Sequence, residues 1–306
     1  MHDDHDTLTL VQLTDVHLGP LPAFLPRHWN VKRLMGYVNF RSKRRDFHEA
    51  VLASAVTSDA RQQGAGHIVV TGDLVNLGMP AEFEQALRWL ETVGPATDVT
   101  VIPGNHDVYT RLSSDPGIER WRAYMSARGE RDHVASVPGP LATGFPFVRT
   151  IGRFALIGLN SAVHMPPGVA AGRLGKAQID RFVEIVTGLG AAGFTRIVLI
   201  HHPPLPEHGW RRGLRDAGAF EEALTRAGAE IVLHGHNHRQ MLSWRETRTG
   251  SVAIIGAPSA GEGYYNLYRL RHAPGALPGI ERLTRGVAGP GEPVRELERV
   301  EVRLGD

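Results

Sequence analysis

Apolar and polar positions alternate along this chain in two rhythms. Short runs rich in β-branched residues, Leu8–Leu13, His67–Thr71, Val99–Ile102, Phe154–Leu159, Arg196–Ile200 and Glu230–Leu233, predict strands. Between them, Asp46–Gln62, Ala81–Thr92, Lys176–Leu189 and Ala217–Ala227 repeat apolar residues at the i, i+3, i+4 spacing of amphipathic helices. Strand and helix in alternation predict α/β layers. After His238 the helical period stops. Ser251–Gly256, Tyr265–Leu270 and Leu297–Leu304 predict antiparallel sheet, with hairpin loops at Ala273–Gly279 and Val287–Pro293. No repeat or linker divides the chain, so residues 1–306 are expected to form one domain with a mainly β part at 250–306.

Composition narrows the chemistry more than the fold. Hydrophobic residues make up 42% and charged residues 22%, ordinary values for a globular chain. Lys and Arg number 34 against 32 Asp and Glu, which gives no case for a nucleic-acid partner. The polar, acidic N-terminus is unlike a signal peptide, and no run approaches the roughly 20 apolar residues of a membrane span, so a cytoplasmic protein is expected. With no cysteine, thiol catalysis and thiolate ligands are excluded, and any metal must sit on oxygen and nitrogen.

Polar clusters stand at the ends of the predicted strands: Asp15-Val16-His17, Gly72-Asp73-Leu74-Val75-Asn76, Gly104-Asn105-His106-Asp107, His201-His202-Pro203-Pro204 and His234-Gly235-His236-Asn237-His238. Any one of them is also what a capped turn looks like. Their recurrence in order is what points to a site. Carboxylates, an amide and imidazoles are the donors that neighbouring divalent cations require, and Asp73 is the natural bridging carboxylate. Glycines 72, 104 and 235 would let the backbone approach closely.

The order Asp-x-His, Gly-Asp-x-x-Asn, Gly-Asn-His-Asp, His-His-Pro-Pro, Gly-His-x-His resembles the calcineurin-like metallophosphoesterase superfamily, from Leu8 to about Asn266. Gly158-Leu159-Asn160-Ser161, Gly256-Ala257-Pro258-Ser259 and Tyr265-Asn266-Leu267-Tyr268 are most similar to its bacterial class III cyclic-nucleotide phosphodiesterase branch. The resemblance implies a four-layer αββα fold, two mixed sheets packed face to face and flanked by helices. It also implies that Asp15, His17, Asp73 and His238 hold one metal, and Asp73, Asn105, His201 and His236 the other. Mn or Fe would be favoured, with Zn an alternative. His106 would act on the leaving oxygen, with Asp107 orienting its ring, and Asn76 would support the loop. His202 would line the pocket, and His234 would be structural. The implied reaction is direct hydrolysis of a small phosphodiester by a metal-bridging hydroxide.

Residues 21–45 depart from that pattern, with a long segment mixing aromatic and basic residues. One reading is a surface excursion in which Leu21, Phe24 and Leu25 plug into the core. The other is a cap whose Arg41 and Arg44 contact substrate, or whose cations, between residues 27 and 45, make weak contact with a membrane surface. The cap reading opens a second enzymatic possibility, a lipid-directed phosphodiesterase of phospholipase C or nucleotide-lipid type. A metal-bound interaction scaffold is the non-enzymatic alternative, disfavoured because every ligand position is filled. A homo-oligomer is compatible with the sequence.

Overall fold

The computed structural model describes residues 6–43, 46–112, 115–127, 144–205 and 209–304. Its centre is a pair of six-stranded sheets. In the first, β1 (Thr7–Leu13), β2 (His67–Val70) and β3 (Val99–Val101) run parallel, and β10 (Tyr264–Arg271) pairs antiparallel to β1. Strands β11 (Gly279–Gly286) and β12 (Arg295–Glu301) extend it as a meander. In the second, β5 (Phe154–Gly158), β6 (Thr195–Leu199), β7 (Ile231–His234) and β9 (Gly250–Gly256) are parallel. Two antiparallel edges, β4 (Phe147–Ile151) and β8 (Met241–Thr247), close it.

Burial explains why the second sheet reads as continuous apolar runs rather than alternation. Leu156, Ile197, Leu199, Ile231, Leu233 and Ile255 face the first sheet in one core. Their neighbours Ile157, Val198, Ile200, Val232 and Ile254 face the opposite way, into a second core. A strand buried on both faces has no polar phase to display. The second core is completed by α4 (Lys176–Ala191), through Ile179, Phe182 and Val186, and by α6 (Ala217–Ala227), through Phe220 and Leu224. On the outer side of the first sheet lie α2 (Asp46–Gln62) and α3 (Pro80–Val93). The four-layer αββα architecture is therefore present.

Two expectations change. The C-terminal part is not one antiparallel sheet: β9 pairs parallel with β7 in the second sheet, while β10 to β12 belong to the first. The segment 21–45 contains a helix, α1 (Val31–Lys43), rather than an irregular excursion or cap. Asn30 starts it, its side-chain oxygen accepting the Arg33 N–H at 2.8 Å. No helix among the described residues is long and apolar enough to cross a membrane.

Candidate metal centre

The carboxyl ends of β1, β2 and β3 meet those of β6 and β7 at one edge of the sandwich, where chain turns replace strand pairing. Among the described residues, the only non-glycine positions with positive φ are Asp15 (51°), His17 (46°), Asp73 (59°), His236 (72°) and His238 (54°). All of them are residues that the sequence marks as ligands. Left-handed backbone costs of order 1 kcal/mol at a residue with a Cβ, and persists only where the surroundings over-determine it. Here the loops are stitched together: Asp15 N–H donates to the Gly72 carbonyl at 2.9 Å and His17 N–H to the Asp73 carbonyl at 3.0 Å. Gly104 is required for a different reason, since a Cβ there would overlap the Asp73 carboxylate.

Two groups of donors fall on the expected ligands, and a third, His17, Asp73 and His106, overlaps both. Asp15, His17 and His238 offer ligand atoms within 4.8 Å of one another, and so do Asp73, His201 and His236. Asp73 joins the groups: its Oδ2 lies 3.9 Å from His17 Nε2 and 3.4 Å from His201 Nε2. Asn105 Oδ1 completes the second group, 3.2 Å from His201 Nε2. The rings are aimed by their other nitrogens. His17 Nδ1 meets the Val75 carbonyl at 3.2 Å, His201 Nδ1 the Thr71 carbonyl at 2.7 Å, and His238 Nδ1 the Glu262 carboxylate at 3.0 Å. An acceptor at Nδ1 assigns the proton to that atom and turns the Nε2 lone pair inward.

The donors fit cations. Asp15 is fully buried, and its Oδ2 accepts from Thr14 Oγ1 and the His236 N–H, but its Oδ1 accepts no hydrogen bond although His238 Nε2 stands 3.3 Å away. A buried carboxylate oxygen in that state is costly unless a positive charge faces it. The local potential agrees. Against burial, the Asp15 and Glu262 carboxylates push His238 up to about 10, and Asp73 pushes His201 up to about 9. Burial raises Asp15 and Asp73, yet the imidazoles around them outweigh it and lower both. Burial, then His201, brings His236 down to about 3, which keeps it a neutral donor.

His106 stands at the wall of a cavity of about 290 Å³, which is also lined by Asp73, Asn105, His236 and His238. Its backbone N–H donates to Asp73 Oδ1 at 2.7 Å, its Nδ1 meets the Asn76 carbonyl at 2.6 Å, and its ring offers a donor atom within 4.8 Å of those of His17 and Asp73. The expectation that Asp107 orients this ring is corrected. Asp107 directs Oδ2 to the N–H groups of Asp73 and Gly104, both at 2.8 Å, and Oδ1 to those of Leu74 and Val75, at 2.9 and 3.2 Å. It ties the Asp73 loop to the Asn105 loop. Burial and the Asp73 carboxylate push it up to about 7 against those donors.

His202 is corrected as well. It is fully buried, with Nδ1 2.8 Å from Ser161 Oγ and Nε2 3.2 Å from the Ala170 carbonyl, so it packs beside His236 rather than facing substrate. The side chains of Arg41 and Arg44 lie outside the described residues. Asn76 supports its loop by donating Nδ2 to the Leu18 carbonyl at 3.0 Å. Residues that the motifs did not announce are Glu262, which aims His238, and the cavity-lining Asn39, Tyr109 and Arg212. The Tyr109 ring stacks on His106 at 5.4 Å, and Lys32 Nζ lies 4.4 Å over Tyr109.

Helix α1 forms one side of the cavity through Gly36, Asn39 and Phe40. Gly36 is needed there, because a Cβ would meet the Tyr109 hydroxyl. Leu25 is exposed and Phe24 stacks on Tyr37 at 4.5 Å, so these residues do not plug the core. Arg33 is buried, donating to the Leu77 and Gly78 carbonyls, and Lys32 Nζ donates to the Met165 carbonyl at 2.9 Å. Neither is a free surface cation.

The family model for calcineurin-like phosphoesterases matches residues 8–240. A protein of Synechococcus sp. named "Probable cyclic nucleotide phosphodiesterase" is 26% identical over 261 residues, covering 84% of this chain and 82% of that protein. The crystal structure of a dimetal phosphatase from Danio rerio aligns with a TM-score of 0.61 at 12% identity, covering 97% of this chain and 99% of the other. A purple acid phosphatase from yellow lupin aligns at 0.53 and 12% identity, over 92% of this chain and 51% of its own.

Proposed function

This chain belongs to the calcineurin-like phosphoesterase family and is a metal-dependent phosphoester hydrolase; from that premise we propose that it hydrolyses small phosphodiesters of the cyclic-nucleotide kind. One observation carries the reading: a single carboxylate, Asp73, presents Oδ2 to both donor groups and Oδ1 to His106. The two donor groups that would hold the cations and the acid are thereby tied to one carboxylate. The cyanobacterial relative and the small cavity support a compact diester.

In this reading Asp15, His17, Asp73 and His238 hold one cation, and Asp73, Asn105, His201 and His236 the other. Imidazole and carboxylate donors without thiolate suit Mn or Fe, with Zn the alternative. When bound, the cations supply Lewis acidity toward the phosphoryl oxygens and toward water. His106 Nε2 delivers a proton to the departing alkoxide, and the Asn76 carbonyl at Nδ1 favours the charged ring that donates it. Tyr109 packs flat against that ring and limits its rotation. Arg212 offers a guanidinium at the cavity wall for a phosphoryl oxygen.

The test is a substrate panel on Mn-reconstituted enzyme: cyclic nucleotides, glycerophosphodiesters, phosphomonoesters and phospholipids. Small diesters should turn over fastest. Activity confined to monoesters or to phospholipids would overturn the proposal.

A further inference from the structure

We propose that the outward face of α1, together with Trp29 and Trp210, is a docking surface for an anionic lipid bilayer. The helix has two faces of opposite character to those of an ordinary surface helix. Arg33, Gly36 and Phe40 point into the protein, whereas Val31, Leu34, Met35 and Val38, at the i, i+3, i+4, i+7 spacing of one stripe, are exposed by 70, 48, 55 and 62%. Trp29 beside them is 60% exposed. A contiguous apolar stripe left in water is unfavourable and marks a contact surface.

A second exposed indole belongs to another segment that lines the same cavity. Trp210, 65% exposed, sits on the short helix α5 (Gly209–Arg212), whose Arg212 lines the cavity together with Gly36, Asn39 and Phe40 of α1. The loop at 165–170 links the two: Lys32 Nζ donates to the Met165 carbonyl, and the Ala170 N–H donates to the Arg211 carbonyl at 2.8 Å. Indoles with one apolar body and one N–H favour the boundary between lipid and water.

Charge selects the bilayer as occupant. Arg211 and Arg212 are exposed; Arg211 lies 5.0 Å over the Trp210 ring, and neither forms an ion pair among the described residues. In the sequence, residues 16–45 contain seven Lys or Arg and no Asp or Glu; Lys32 and Arg33 are engaged within the protein, which leaves five other cations and no acid in the segment. Apolar side chains flanked by cations and free of acids match an anionic interface. A second copy of this chain fits less well, because a two-fold contact through α1 would set two such segments against each other with no acid to pair them. Docking would present the cavity mouth to the membrane whichever diester the enzyme cleaves.

The test is sedimentation of the metal-loaded, full-length protein with vesicles of phosphatidylcholine alone or with about one-third phosphatidylglycerol, at low salt and at about 1 M salt. Binding should require the anionic lipid and weaken in salt. The triple variant V31S/L34S/V38S, altered only at exposed positions outside the cavity lining, should bind about 100-fold more weakly and hydrolyse bis(p-nitrophenyl) phosphate as wild type does. Trp210→Ser alone should cost about tenfold in binding and guards against misfolding of the triple variant. The proposal is overturned if wild type binds no anionic vesicle at low salt or if both variants bind as wild type. It is equally overturned if sedimentation equilibrium shows a dimer that the triple variant abolishes.

Discussion

Asp107→Asn separates two roles for a carboxylate next to a catalytic histidine. Asp107 accepts four backbone N–H groups, from Asp73 and Gly104 at Oδ2 and from Leu74 and Val75 at Oδ1. An asparagine keeps one oxygen and places an NH2 where the other stood. Whichever way the amide turns, two buried donors then face a donor. Leaving a buried N–H unpaired costs about 1–3 kcal/mol, so the pair should cost about 2–6 kcal/mol. Urea unfolding should show the loss as a lower midpoint with an unchanged slope, in chelator and in Mn alike, because the bonds broken are in the protein. The activity that remains should fall equally for p-nitrophenyl and alkyl esters. Stability within about 0.5 kcal/mol of wild type, with a kcat loss that grows as the leaving group worsens, would refute this account and return Asp107 to a role through His106.

His106→Ala should retain both metals by elemental analysis while lowering kcat by roughly 10²–10⁴-fold on alkyl diesters, and much less on p-nitrophenyl diesters, whose leaving group departs without a proton; equal losses would make the role of His106 purely electrostatic. His67, buried with Nε2 2.7 Å from Thr100 Oγ1, is lowered by burial and by Arg149 from 6.5 to about 3. Between those values the unfolded chain binds a proton that the folded chain refuses, so stability rises with pH across the window and is lost as pH falls through it. Between about pH 6 and pH 5 the wild type should lose about 1 kcal/mol more than His67→Gln; parallel urea-midpoint curves for the two proteins would contradict this.

The donor set could be read in the sequence because each ligand stands just past an apolar run, and a strand end is where a side chain is both fixed and exposed. The left-handed backbone at Asp15, His17, Asp73, His236 and His238 could not, since none of these residue types announces it as glycine would. Asp107 was misassigned for a related reason. Adjacency to His106 in sequence suggests a side-chain partner, whereas three of the four backbone N–H groups that bind Asp107 arrive from a loop more than thirty residues earlier. His202 shows the limit of motif reading, as its neighbour His201 faces the site while its own ring is enclosed by Ser161 and Ala170. Helix α1 does carry a helical period, in Val31, Leu34, Met35 and Val38, but the period covers only about two turns and follows the Pro-rich stretch Pro20–Pro26, and its apolar stripe faces outward, so it does not mark a core-facing helix. The placement of β9 parallel to β7 depends on a chain reversal after β8 that no local pattern encodes.

The central claim is that Asp73 is shared between two cation sites, and metal stoichiometry tests it most directly. Elemental analysis of wild type and Asp73→Ala, both purified after Mn reconstitution and gel filtration, should give two equivalents for the wild type and loss from both sites in the variant. Its remaining donors, Asp15, His17 and His238 on one side and Asn105, His201 and His236 on the other, would each lack the common carboxylate. Two full equivalents retained by Asp73→Ala would contradict the account.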